Sequence, residues 1–192
     1  MRAKLKEIAS IQMGYSFRSR LDFMNKGLTA VIQMKDLTDD NVVDCRDLIQ
    51  IDMDSLKDRH LARLGDIVFR SRGLVTTAVL LSEDPGQAVI AAPLIKIRVD
   101  EKAILPDYLV WYINQPLAQA YFTSRAKGTT QKMISKQTLE NVEISVPSLD
   151  RQQAIVDIAA LADKEQVLLE KIAVRRNHYV LTKLMQFVEK AS

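Results

Sequence analysis

The sequence predicts an α+β (mixed α/β) globular domain followed by one long C-terminal α-helix, and three observations lead there. Up to about Val146, short runs rich in β-branched and apolar residues are bounded by Gly, Pro, Asp and Asn, the punctuation expected of strands and turns. Within that region, two stretches carry apolar residues at helical spacing instead. From Leu149 to Lys190 there is neither Gly nor Pro, and apolar residues recur every three, four or seven positions, as in an uninterrupted helix. The pattern places a domain over residues 1–147 and a helix over 148–192.

The strand candidates are Ala30 to Met34, Leu48 to Met53, Asp66 to Arg70, Val75 to Leu81, Ala88 to Val99 and Val142 to Val146. Ser55 to Leu61 and the stretch after Pro106, DYLVWYINQPLAQAYFTS, read as helical, with Pro106 suited to a first turn. Asn114-Gln115-Pro116-Leu117 reads as a break within the second of these. Tyr108, Trp111, Tyr112 and Tyr121 fall at helical spacing, which favours core packing. Ser148 or Asp150 can cap the last helix, whose 42 positions would span roughly 60 Å. One apolar stripe runs Ile155, Ile158, Ala162, Leu169, Ile172, Ala173, Val180, Leu184, Phe187; a second runs Leu161, Leu168, Leu181, Met185, Val188. Such a helix outruns a domain of this length, about 35 Å across by compactness scaling. Its outer half is therefore expected to meet another chain, in an antiparallel coiled coil or bundle.

Composition narrows the chemistry. With 47% hydrophobic and 27% charged residues, the 192-residue chain is neither disordered nor fibrous. Cys45 is the one cysteine, and His60 and His178 are the two histidines, so no internal disulfide and no Cys/His zinc cluster can form. MRAKLKEIAS lacks a signal-peptide apolar core, and the longest apolar stretch is Ala88 to Ile95, which predicts a soluble cytoplasmic protein with no membrane partner. The glycines are isolated, so neither GxGxxG nor GxxxxGK[ST] occurs and no bound nucleotide or methyl donor is expected. Asp100-Glu101-Lys102 reads as a polar turn, not a nuclease triplet, and His178 beside Tyr179 as a helix-surface residue. No catalytic residue, metal or cofactor is expected, and the chain is not predicted to be an enzyme.

The net charge of +3 is small, but it is unevenly spread. Asp36 to Asp58 holds eight acids, Asp36, Asp39, Asp40, Asp44, Asp47, Asp52, Asp54 and Asp58, against Arg46 and Lys57. Ser124 to Thr138 holds Arg125, Lys127, Lys132 and Lys136 with no acid, and Arg18/Arg20 and Arg70/Arg72 form smaller basic groups. Acid-poor clusters of this kind suit phosphates if the fold brings them together.

The segments GTTQKMISKQTL (128–139) and VEISVPSL (142–149), then Gln152 and a long helix, resemble the DNA-specificity subunits of type I restriction-modification systems where a target recognition domain meets its spacer helix. LKEIA (5–9) with GYSFRS (14–19) resembles the opening of such a domain, and LGDIVFRSRG (64–73) its central strand and loop. Arg151-Gln152 stands where the family usually has a Glu-Gln pair. Family members typically carry two recognition domains and two spacer helices, so this sequence resembles half a subunit.

The resemblance implies a target recognition (DNA-binding) domain over 1–147 and a spacer and dimerisation helix over 148–192. It implies a non-catalytic subunit that homodimerises, reads a gapped palindrome in double-stranded DNA, and directs adenine methylation and cleavage by partner subunits. Those partners are the methyltransferase subunit, which would carry S-adenosylmethionine, and the restriction (endonuclease/translocase) subunit. Lys127, Lys132 and Lys136 would pair phosphates, with Thr129 and Thr130 allowing close approach and Gln131 reading a base by its amide chemistry. Arg70, Ser71 and Arg72 follow a strand and could reach guanine, and Arg18 and Arg20 complete the set. Ile155, Ile158, Ala162, Leu169, Ile172, Val180, Leu184 and Phe187 would form the dimer or partner interface. The competing readings are a structural adaptor that binds a partner through its helix and never touches DNA, and a self-sufficient nuclease or methyltransferase, for which the motifs are missing.

Overall fold

The computed structural model describes residues 1–17, 27–38, 42–53, 56–73, 76–128 and 132–190. Their elements run β1 (Arg2–Lys4), α1 (Leu5–Ile8), β2 (Ala9–Met13), β3 (Thr29–Ile32), β4 (Ile49–Ile51), β5 (Ile67–Phe69), β6 (Ala78–Leu80), β7 (Ala88–Ile90), β8 (Ile95–Val99), α2 (Pro106–Asn114), α3 (Pro116–Arg125), α4 (Lys136–Glu140), β9 (Glu143–Ser145) and α5 (Leu149–Lys190). Single 3-10 turns lie at Met34–Asp36 and Asp58–His60. The fold is thus a mixed α/β domain with a long C-terminal helix. Met1–Gln152 and Gln153–Ser192 form two separate units.

The strands make three sheets: antiparallel β1-β9, antiparallel β2-β8-β5-β6, and β4-β3-β7, in which β3 and β7 are parallel. Strands β3, β5 and β7 are buried along their whole length, which is why their sequences, TAVI, IVF and AVI, are continuous apolar runs rather than alternating ones. One core gathers Ile32, Leu37, Val68, Leu81, Ile90 and Leu94 from two of the sheets. Phe69 of β5 meets Phe122 of α3 with ring centroids 5.3 Å apart.

Expected and observed elements differ in instructive places. The run Ala88 to Val99, expected as one strand, is two strands in different sheets, separated by a turn with a cis Ala92–Pro93 bond. The turn is as apolar as the strands, so hydropathy carried no sign of it. The helix expected at Ser55 to Leu61 is a 3-10 turn at Asp58–His60 among the described residues. Lys96 Nζ, buried beneath that turn, donates to the carbonyls of Arg59 and Leu61 at 2.7 Å each, so tertiary contacts take over from helical ones there. β1, α1 and β2, too short and mixed to register as patterns, were not expected.

The break at Gln115-Pro116 is real. Gln115 is extended, with ψ 152°, because the proline ring disfavours a helical residue before it, and Pro116 then opens α3 as Pro106 opens α2. Asn114, the last residue of α2, donates to Ala78 O and accepts from Ala78 N, at 2.8 and 2.9 Å, completing the edge of β6. Gln152, in the first turns of α5, is fully buried. It accepts from Leu105 N at 2.8 Å and donates to Pro147 O and Ala103 O at 2.9 and 3.1 Å.

Candidate nucleic-acid interface

The basic groups at 70–72 and 127–136 come together through the backbone. Beyond β5 the chain turns through Arg70–Gly73, where Gly73 has φ 135°, a conformation that L side chains rarely adopt. Ile134 N donates to Ser71 O at 2.8 Å and Gly73 N to Lys132 O at 3.2 Å, so Arg72 and Met133 are antiparallel partners. Met133 also exchanges both backbone hydrogen bonds with Lys127, at 3.1 and 2.9 Å, and Gly128, which follows Lys127, has φ 106°. Register partners present their side chains on one face. Arg72, Met133 and Lys127 thus stand side by side on a short three-stranded ribbon, Arg72 and Lys127 about 10 Å apart at two strand spacings. Arg72, Lys127 and Lys132 are all exposed. Arg125 precedes the ribbon, its guanidinium 4.0 Å from the Tyr121 ring centroid.

Other residues of the expected set serve different ends. Arg70 does not project: its Nη2 donates to Leu37 O at 2.8 Å and its Nε is buried. Ser71 is only 2% exposed and its hydroxyl donates to Pro93 O. Arg70 and Ser71 thus spend these polar atoms anchoring the loop that carries Arg72. Lys136 forms an i,i+4 ion pair with Glu140 at 3.2 Å, while Ser135 caps α4 by accepting from Thr138 N at 3.0 Å. Arg18, Arg20, Thr129, Thr130 and Gln131 lie outside the described residues.

The anchoring bonds place the Arg72 loop beside an open groove of about 560 Å³ lined by Ser16, Phe17, Gln33, Lys35, Ala92 and Pro93. Gln33 and Lys35 went unnoticed in the sequence because a lone amide and a lone lysine after a strand carry no signal. Three acids of the acid-rich stretch have partners within the domain. Asp44 pairs with Arg46 at 2.7 Å, which holds its carboxyl down at about 2. Asp58 pairs with Arg63 at 2.6 Å, and Asp36, raised chiefly by burial, accepts from Gln33 N at 2.7 Å.

The remaining chemistry-bearing residues form no reactive pair among those described. Burial pushes the Cys45 thiol up, away from thiolate character. His60 is pushed below its usual range by burial and by Arg59, Lys96 and Lys57, and packs edge-on to Tyr15. Asp100 accepts from Lys102 N at 3.1 Å in a turn. No group of three His, Cys, Asp or Glu could hold a metal, and no helix is long and apolar enough to cross a membrane, among the described residues. On α5, Ile158, Leu169, Ile172, Val180, Leu184 and Phe187 are 46–71% exposed, Ala162 is exposed and Ile155 is half-buried.

A family model for the type I restriction modification DNA specificity domain matches residues 1–174. Among solved structures, the chain is similar to the HsdS subunit from Thermoanaerobacter tengcongensis, with 22% identity and a TM-score of 0.64 over 89% of this chain and 39% of that one. It is equally similar to a chain from a structure concerned with complex assembly and conformational transition of the type I R-M system: 22% identity, TM-score 0.65, 89% of this chain and 40% of that one. The S subunit of a type I restriction-modification system from M. genitalium follows at 12% identity and TM-score 0.56, covering 85% of this chain and 39% of that one. No curated protein matches. At these identities the structural likeness concerns the fold, and the chain spans about two fifths of the length of each solved chain.

Proposed function

The chain belongs to the family of type I restriction modification DNA specificity domains, and from that premise we propose that it is a non-catalytic recognition subunit that reads one half-site of double-stranded DNA and works as a homodimer. The observation that carries this reading is the ribbon on which Arg72 and Lys127 share a face, brought together from two acid-free segments far apart in the sequence, with exposed Lys132 next along the chain to their common partner Met133. Exposed cations at this spacing suit phosphates, which fix register without reading sequence. Arg72, held on an anchored loop, is the candidate for a bidentate contact to guanine. Arg18, Arg20, Thr129, Thr130 and Gln131 extend the proposed surface.

Dimerisation through α5 would place two identical readers about a twofold axis, so the target would be an inverted repeat with a gap. Burying large side chains such as Ile158, Leu169, Ile172, Val180, Leu184 and Phe187 at about 1.5–3 kcal/mol each is commensurate with an association cost of about 4–15 kcal/mol. A methyltransferase subunit, carrying S-adenosylmethionine and extracting the adenine from the duplex, would act at the site so located, with a restriction subunit cleaving unmodified DNA.

Binding to a random duplex as a function of salt tests the DNA reading. Replacing Lys127 and Lys132 together by alanine should flatten the log–log slope by about 1.8, or 0.9 per phosphate. An unchanged slope, or no salt-dependent binding by the parent chain, would favour the adaptor reading. Leu169→Glu with Ile172→Glu should convert a dimer to a folded monomer by light scattering, and a parent chain that is monomeric at micromolar concentration removes the homodimer.

A further inference from the structure

The groove beside Pro93 is bounded at one end by the 3-10 turn Met34–Asp36 that follows β3 and at the other by the Ala92–Pro93 turn between β7 and β8. Both boundaries are fastened to the Arg72 loop: Arg70 Nη2 reaches Leu37 O just past the first turn, and the Ser71 hydroxyl reaches Pro93 O in the second. A duplex lying on Arg72 and Lys127 would therefore lie alongside the groove.

Within the groove, Gln33 has a rigid backbone. Its N–H donates to the Asp36 carboxylate at 2.7 Å and its carbonyl accepts from Asp36 N at 3.1 Å, which fixes the position of its Cα. Its amide makes no cap hydrogen bond to the turn it precedes, although the residue is half-buried. By contrast the amides of Asn114, Gln119 and Gln152 each make two or more hydrogen bonds. A half-buried amide offers one acceptor and two donors, and closing a partner over it without matching them is unfavourable. The base edge that matches an amide bidentately in the major groove is adenine, with N7 as acceptor and N6 as donor.

Resting on the DNA-recognition reading above, we propose that Gln33 is a specificity-determining residue that reads an adenine in the target from the groove beside Pro93. Lys35, exposed and lining the same groove, adds positive charge there. Discrimination arises because any other base leaves the amide dipole unmatched as the groove closes over it.

The test is selection from a pool of duplexes with a randomised core, using the full chain co-expressed with its methyltransferase subunit. The parent should enrich a target in which one adenine loses about 5- to 150-fold preference in Gln33→Ala, all other positions being unchanged. Gln33→Glu should shift preference at that position toward cytosine, whose N4 donates to a carboxylate, a change that misfolding cannot produce. If Gln33→Ala weakens every sequence equally, enriches the parent target unaltered, or alters a position that is not adenine, the assignment is overturned while the recognition reading stands. A parent complex that enriches no sequence overturns the recognition reading itself, and the assignment with it.

Discussion

Gln152 is where the physical account of this domain is most exposed to test. Its side chain is fully buried and makes three hydrogen bonds, to Leu105 N, Ala103 O and Pro147 O. Gln152→Ala removes all three. At about 0.5–1.5 kcal/mol for each bond lost, the expected destabilisation is about 3 kcal/mol, or about 6–12 °C in Tm for a chain of this size. Trp111, the one tryptophan, lies on α2, whose first turn follows Leu105, so fluorescence-monitored urea unfolding reads the affected region directly. Gln152→Glu supplies the control by sign. A carboxylate keeps the bond from Leu105 N but faces two carbonyls that need donors, so the folded state binds a proton more tightly than the unfolded one. The variant should be least stable at neutral pH and recover as pH falls toward the ordinary glutamate value of about 4.3. A Gln152→Ala midpoint shift worth less than about 1 kcal/mol at unchanged m-value would refute the reasoning.

Two further outcomes follow from burial and close approach. A Cβ on Gly14 would lie 2.5 Å from the backbone carbon of Ala91 and 2.7 Å from Ala92 N, so Gly14→Ala should cost about 1–3 kcal/mol as an overpacked site; an unchanged urea midpoint would show that the Pro93 turn yields freely. Asp36 is buried with its carboxyl raised above the usual value of 3.8, so the folded state binds the proton more tightly and stability falls as pH rises through the interval between the two values. In Asp36→Asn the side-chain amide oxygen keeps the bond from Gln33 N, so that variant should match or exceed the parent at pH 7 and lose any advantage below about pH 4. A Tm lower than the parent's at pH 7 would contradict this.

Much of the architecture was legible because strong local signals agreed with the global fold. The absence of Gly and Pro over Leu149 to Lys190, and the paired prolines at 106 and 116, act through backbone sterics that tertiary context seldom overrides. What could not be read was long-range. Nothing local distinguishes the Ala91–Leu94 turn from the strands beside it, since its ends are as buried as they are. The basic character of 70–72 and 127–136 was visible, but their backbone pairing was not, nor was the inward turn of Arg70 and Ser71, which depends on Leu37 and Pro93 arriving from distant segments. Gln152 was noticed as one mark of the family resemblance and as part of an altered pair with Arg151, not for any packing role. Its three partners come from two separate stretches of chain, Ala103 and Leu105 from one and Pro147 from the other, and a single residue letter does not record such a convergence.

The pairing of β1 with β9 bears on how such a domain can vary. Arg2, Ala3 and Lys4 are in register with Ser145, Ile144 and Glu143, and the amino group of Met1 donates to Val146 O at 3.2 Å. The chain therefore enters and leaves this unit through neighbouring strands, closed like a clasp. The Arg72 loop, the groove and the Lys127 turn are all hung between the two halves of that clasp. Loops there can lengthen, shorten or exchange their side chains without changing where the chain departs toward α5. On the reading proposed above, recognition and assembly would be separable properties of one polypeptide, and a new binding preference could be acquired without renegotiating the helix.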